Sequence, residues 1–177
     1  MKDDHLKYVV PLTVGILLGM DCIQPKSAQS KSISLINLPC TITRTREALD
    51  WGSAWVNIKE DVVLNREFHS SLMRIYASDR EFACKLPNAK SASLDLEVGI
   101  PSNEAGPALL TVYLNGDLVA SEKVIPGKVT LIKKPLASEI GGKWILVIET
   151  SCLKNSCGDI RFFKANLNVV GNPGGKE

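Results

Sequence analysis

Few residues in this chain of 177 are of types that could do chemistry. His69 is followed directly by Ser70 and Ser71, and the second histidine, His5, lies near the N-terminus. A serine nucleophile needs a base within hydrogen-bond reach, but neighbours in a strand point to opposite faces, so adjacency does not make a Ser-His pair. One histidine in the body of the chain cannot supply the two or three imidazoles of a histidine-built metal centre. Paired carboxylates hydrolyse glycosides, and Glu47 with Asp50 or Glu60 with Asp61 are nominal candidates. Among 19 acidic residues such neighbours are expected on a solvated face. The glycine-rich stretch near the C-terminus has neither the preceding strand nor the following helix of a phosphate loop. The expectation is a non-enzymatic protein without metal or cofactor.

Aromatic residues suggest binding instead. Trp51 and Trp55 flank a Gly-Ser-Ala turn in DWGSAWVN. A tryptophan on a loop can stack on the apolar face of a sugar ring while Asn, Asp and Arg hold hydroxyls. The alternative is that both rings fill the core. Trp144 opens an apolar stretch and reads as core, whereas Phe162 and Phe163 are adjacent, so one faces the interior and the other is covered or exposed.

Compartment is read from the N-terminus and the cysteines. Tyr8 to Met20 is an apolar run, and as a helix at ~1.5 Å per residue it reaches roughly 20 Å, short of a hydrocarbon core of ~30 Å. A secretory signal fits better than a stable transmembrane span, with small residues at Ala28 and Ser30 and cleavage after Ser30. Lipid attachment at Cys22 is the lesser alternative, because Asp21 stands where a small residue is wanted. Cys40, Cys84, Cys152 and Cys157 remain, an even count that reads as two disulfides in an exported chain. Cys152 with Cys157 is favoured because Asn155, Ser156 and Gly158 mark a turn between or beside them, which leaves Cys40 with Cys84. A four-cysteine zinc site lacks the close cysteine pairs it needs. A secreted or periplasmic location follows. The net charge is +2, and Lys133-Lys134 is the densest basic point with no interleaved aromatics, so nucleic acid is excluded as a partner.

The elements that must position these residues are almost all strands. Ser91 to Ile100 puts Leu94, Leu96, Val98 and Ile100 on one face and Asp95 and Glu97 on the other. Ala108 to Ser121 carries Asn115-Gly116 between two β-like runs, the signature of a tight hairpin. Val129 to Ile132, Trp144 to Thr150 and Ile160 to Val170 read as strands, as do Ile33 to Thr45, Val62 to Leu64, Phe68 to Tyr76 and Glu81 to Leu86. A short helix is expected only over Arg44 to Trp51. With eight or nine strands broken by Gly, Pro and Asn, a single antiparallel β-sandwich is the expected fold. It occupies residues 31–170, after a signal peptide at 1–30 and before a flexible tail at 171–177.

The stretch from Asn65 to Leu167 resembles the novel carbohydrate-binding module family found beside bacterial glycosidases, a galactose-binding-like jelly roll. The resembling segments are FHSSLMRIY, LDLEVGI, TVYLNGDLVAS, WILVIE and FFKANL, in that order. The family's acidic residue and tryptophan near the last strand correspond here to Asp159 and Phe163, and the nearby cysteine pair is not part of its pattern. The resemblance implies glycan or envelope-polysaccharide binding, with His69 and Ser70 at the start of a strand and Asp159 and Arg161 near the last one. Trp51, Trp55, His69, Asp159 and Arg161 are thus the expected ligand contacts. The plain alternatives are a core or edge role for His69, a turn for Asp159 and the solvent side of a strand for Arg161. A protein-interaction domain without sugar binding is the competing function.

Overall fold

Period-two alternation builds the two main sheets. A computed structural model describes residues 30–44, 60–76, 80–137 and 144–171. One sheet runs in the order β1 (Ser30–Ser34), β12 (Ile160–Val170), β7 (Ser91–Gly99) and β10 (Val129–Ala137), with β5 (Met73–Ile75) also paired to β12. The second runs β2 (Cys40–Arg44), β6 (Arg80–Lys85), β11 (Ile145–Cys152), β8 (Ala108–Leu114) and β9 (Asp117–Val124). β3 (Glu60–Leu64) and β4 (Glu67–Ser71) form a separate antiparallel hairpin. All strand pairings are antiparallel; an isolated bridge between Ile100 and Pro126 is parallel.

Leu94, Leu96 and Val98 of β7 meet Leu110 and Val112 of β8 and Leu146 and Ile148 of β11 in one buried core, closed by Ile160, Phe162, Leu167 and Val169 of β12. Removing a leucine-sized side chain from water contributes about 1.5–3 kcal/mol, so these inward rows dominate the cohesion of the sandwich. Trp144 packs partly buried against the same core, as its sequence context suggested. The expected disulfides are both present: Cys40 to Cys84 ties β2 to β6, and Cys152 to Cys157 closes the loop after β11.

Twelve strands form among the described residues where eight or nine were expected. Ile33 to Thr45 is divided because Leu35–Asn37 makes a 3-10 turn that buries Leu35. Phe68 to Tyr76 is divided at Leu72, where the chain leaves the hairpin and joins the main sheet, the Leu72 amide bonding the Phe162 carbonyl. The Asn115-Gly116 hairpin is as predicted: both residues have positive φ, 52° and 93°, and Leu114 pairs with Asp117. Asn65 and Arg66 make an equivalent turn at the tip of β3–β4, with φ 47° and 71°. The expected helix beyond Arg44, both Trp51 and Trp55, and residues 172–177 of the tail lie outside the described residues.

Candidate functional site

β12 begins at one pole of the sandwich, and its first residues gather a charged cluster. Arg161 alternates away from the core residues Ile160 and Phe162, so it projects from the outer face of the sheet, yet it is only 3% exposed. This rules out the alternative of an arginine on the solvent side of the strand. The cause is the β3–β4 hairpin, which lies across that face. Gly99 of β7, the register partner of Arg161, admits it: a Cβ there would stand 2.7 Å from Leu64 Cδ1 and 3.1 Å from Phe163 Cε2. Leu64 thus descends onto bare backbone and is itself buried.

Three carboxylates converge on the Arg161 guanidinium. Nη2 donates to Glu104 Oε1 at 2.9 Å, Nη1 donates to the Asp159 carbonyl at 3.3 Å, and Nε lies 3.5 Å from Glu60 Oε2. Nη1 is also 3.7 Å from Asp159 Oδ2. Glu104 holds Asp159 in turn, accepting its backbone N–H on Oε2 at 2.5 Å. Gly158 makes that approach possible, because a side chain there would run into Ile100 and Glu104. Arg74 of β5 adds a second guanidinium, 3.8 Å from Asp159 Oδ2, and it donates to the Tyr76 hydroxyl at 2.8 Å.

Not all of this polar cluster is hydrogen-bonded. Glu60 Oε2, Arg74 Nε and Arg161 Nε are buried and make no hydrogen bond among the described residues. Each nevertheless has an ion-pair neighbour, Arg161 Nε and Glu60 Oε2 facing each other at 3.5 Å and Arg74 Nε facing Asp159 Oδ2 at 3.8 Å, so the charges are balanced while the hydrogen bonding is incomplete. The side chains of Glu60, Asp159 and Arg74 keep part of their surface in solvent, whereas that of Arg161 is 4% exposed. Arg161 therefore positions the carboxylates, and its neighbours offer the accessible edges.

His69 reaches this pole by another route. It faces inward from β4, and its ring meets Phe163 of β12 at 5.1 Å between centroids. Phe163 sits at a bulge where the register steps from Phe162 opposite Val98 to Lys164 opposite Glu97. Asp159 and Arg161 are thus in direct contact, whereas His69 meets Phe163, two residues along β12 from Arg161, and its Nε2 lies 3.8 Å from Glu67 Oε2. Ser70 points to the opposite face and donates to Asp61 Oδ1 at 2.6 Å. Glu60 and Asp61 likewise face opposite sides of β3, the former toward Arg161 and the latter toward Ser70. Glu47 and Asp50 lie outside the described residues. The sequence reading missed Glu104, Arg74 and Tyr76. The spacing of Arg74 and Tyr76 in one extended run could have placed them on a common face; nothing local distinguishes Glu104.

The fold is the β-sandwich seen in carbohydrate-binding modules. The chain is similar to the CBM51 module of Clostridium perfringens GH95, solved in complex with methyl-galactose, with a TM-score of 0.59 and 17% identity over 77% of this chain and 99% of that one. It is also similar to the structure of the M60 catalytic domain with the CBM51-1 and CBM51-2 domains of C. perfringens ZmpB, with a TM-score of 0.58, 12% identity, and 82% and 16% coverage of the two chains. A third likeness is to the CBM51-2 domain of ZmpB in complex with GlcNAc together with INT domains, with a TM-score of 0.56, 11% identity, and 79% and 32% coverage. The chain thus spans nearly all of the first structure and a third or less of the other two. No protein-family model and no curated protein sequence matches it.

Proposed function

We propose that this protein is an exported, non-catalytic glycan-binding module. The observation that carries the reading is the sandwich it shares with a module bound to methyl-galactose. The polar pole around Arg161 supports it. Glu60, Asp159 and Arg74 keep part of their side-chain surface in solvent, and a sugar hydroxyl, which both donates and accepts, could bond a carboxylate or a guanidinium at that edge. Trp51 and Trp55 precede Glu60 by nine and five residues. Five residues of chain span at most about 18 Å, so Trp55 is tethered within reach of the pole, and both rings serve in this reading as the stacking platform. His69 and Asp159 are polar partners at the rim in this reading, and Arg161 holds Asp159 from beneath.

Export rests on the apolar N-terminal run and the two disulfides, which persist in oxidising compartments. The domain then begins at Lys31 in a secreted or periplasmic protein, and its target is an envelope or matrix polysaccharide. A glycan array probed with the purified protein tests the function: retention on a defined set of glycans is expected, and an array without any retained glycan would overturn it in favour of a protein-interaction domain.

A further inference from the structure

The outer face of the β3–β4 hairpin carries a separate feature that the polar pole does not use. Phe68 is 82% exposed, the largest exposure among the exposed large hydrophobic residues of the described part of the chain. Its cross-strand partner on the same face is Val63, itself 42% exposed. The next pair along the hairpin on that face is Asp61 with Ser70, joined by the 2.6 Å hydrogen bond from the serine hydroxyl. That bond occupies one carboxylate oxygen of Asp61 and fixes the hydroxyl, leaving the other oxygen and the serine lone pairs able to accept.

We infer that this face is a second sugar-binding surface, on which one pyranose ring stacks against Phe68 while Asp61 and Ser70 bond its hydroxyls. This goes beyond the site proposed above and involves none of its residues. Two residues along a strand are about 7 Å apart, which sets the carboxylate-hydroxyl pair at the rim of a sugar lying on the ring. The size of the feature selects the ligand. A stable protein interface needs roughly 20–30 residues a side, whereas the exposed apolar surface here is one ring and one valine. Insertion into a membrane surface is opposed by the Asp61 carboxylate, which shares this face of the hairpin with the ring. Only a small ligand with an apolar face and a polar edge matches both halves. The hairpin is held to the sandwich by Leu64 on Gly99, His69 on Phe163, and Ser102, whose backbone N–H and hydroxyl both donate to the Val63 carbonyl. Phe68 is therefore presented on a fixed base.

Amide NMR spectra of the isotope-labelled full chain, titrated with methyl β-galactopyranoside, methyl β-glucopyranoside and N-acetylglucosamine, test the inference. Saturable shifts at Val63, Phe68 and Ser70 are expected with at least one of these sugars. Phe68→Ala should weaken that binding roughly tenfold, and Phe68→Trp should retain it. Since Phe68 touches solvent, both variants should melt as the parent does. Shifts confined to His69, Asp159 and Arg161 would overturn the second surface and leave the first site standing. Absence of shifts with all three sugars, undiminished binding by Phe68→Ala, or hairpin shifts that follow protein concentration without sugar would each overturn it as well.

Discussion

Strand alternation sends Arg161 outward, and outward in a two-layer sandwich ordinarily means into water. Instead its charge is enclosed by Glu60, Glu104 and Asp159, which come from positions 44 to 99 residues apart in sequence. Such an arrangement is illegible locally, because each partner is an ordinary surface residue type until the chain folds. What the sequence did reveal was the direction of alternation and the neighbourhood of Asp159 and Arg161 at the start of the last strand. The arrangement also makes Glu104 the most consequential residue of the pole after Arg161 itself. Glu104→Ala removes the acceptor of both the Asp159 amide and the Arg161 guanidinium, leaving a buried charge short of a partner. A loss of about 2–4 kcal/mol is expected by urea denaturation, with Glu104→Gln losing less because its amide oxygen can still accept. Equal stability of Glu104→Ala and parent would show that the cluster does not brace the pole.

At the scale of elements, the strands of the two main sheets were largely legible because apolar and polar residues alternate through them. The strand segments Val62 to Leu64 and Phe68 onward of the β3–β4 hairpin were also legible, but the turn that joins them was not. Its Asn65-Arg66 turn lacks the glycine that made Asn115-Gly116 readable, although both turns hold two residues at positive φ. Replacing Gly116 with Val should cost about 1 kcal/mol or more, and the cause is backbone strain alone, since nothing stands within 4 Å of a Cβ there. Gly99→Ala acts differently: the new methyl group meets the end of the Leu64 side chain at 2.7 Å and the Lys128 carbonyl and Phe163 at 3.1 Å, so the seat of the hairpin on the sheet is disturbed. Destabilisation of about 1–3 kcal/mol is expected by thermal melting, together with faster proteolysis between residues 60 and 71. Unchanged proteolysis would mean that the hairpin is not seated by that glycine. The bulge at Phe163 was equally hidden, since a run of eleven strand residues gives no sign of where its register slips.

At the scale of the whole molecule, polarity of layout matters most. Ser30 pairs with Val170, and the described chain ends at Gly171, so both ends of the sandwich chain lie at the far end of β12 from the Arg161 cluster. Along eleven strand residues this is roughly 35 Å. A tether at either terminus would hold the module by one pole and present the other. Cleavage after Ser30 would remove only the first residue of β1 and leave Lys31 through Ser34 paired with β12. Intact mass of the exported protein should therefore correspond to a chain starting at Lys31; retention of residues 1–30 without lipid on Cys22 would contradict export by cleavage. The central claim is sugar binding at the polar pole with Trp51 and Trp55 as its platform, and calorimetric titration of the array-selected glycan into parent and the Trp51→Ala, Trp55→Ala double variant tests it most directly. A variant with the parent's circular dichroism whose binding is weaker by about 1–3 kcal/mol is expected; a folded variant that binds the glycan as tightly as the parent, or one that no longer folds because both rings were core, would contradict the proposed platform.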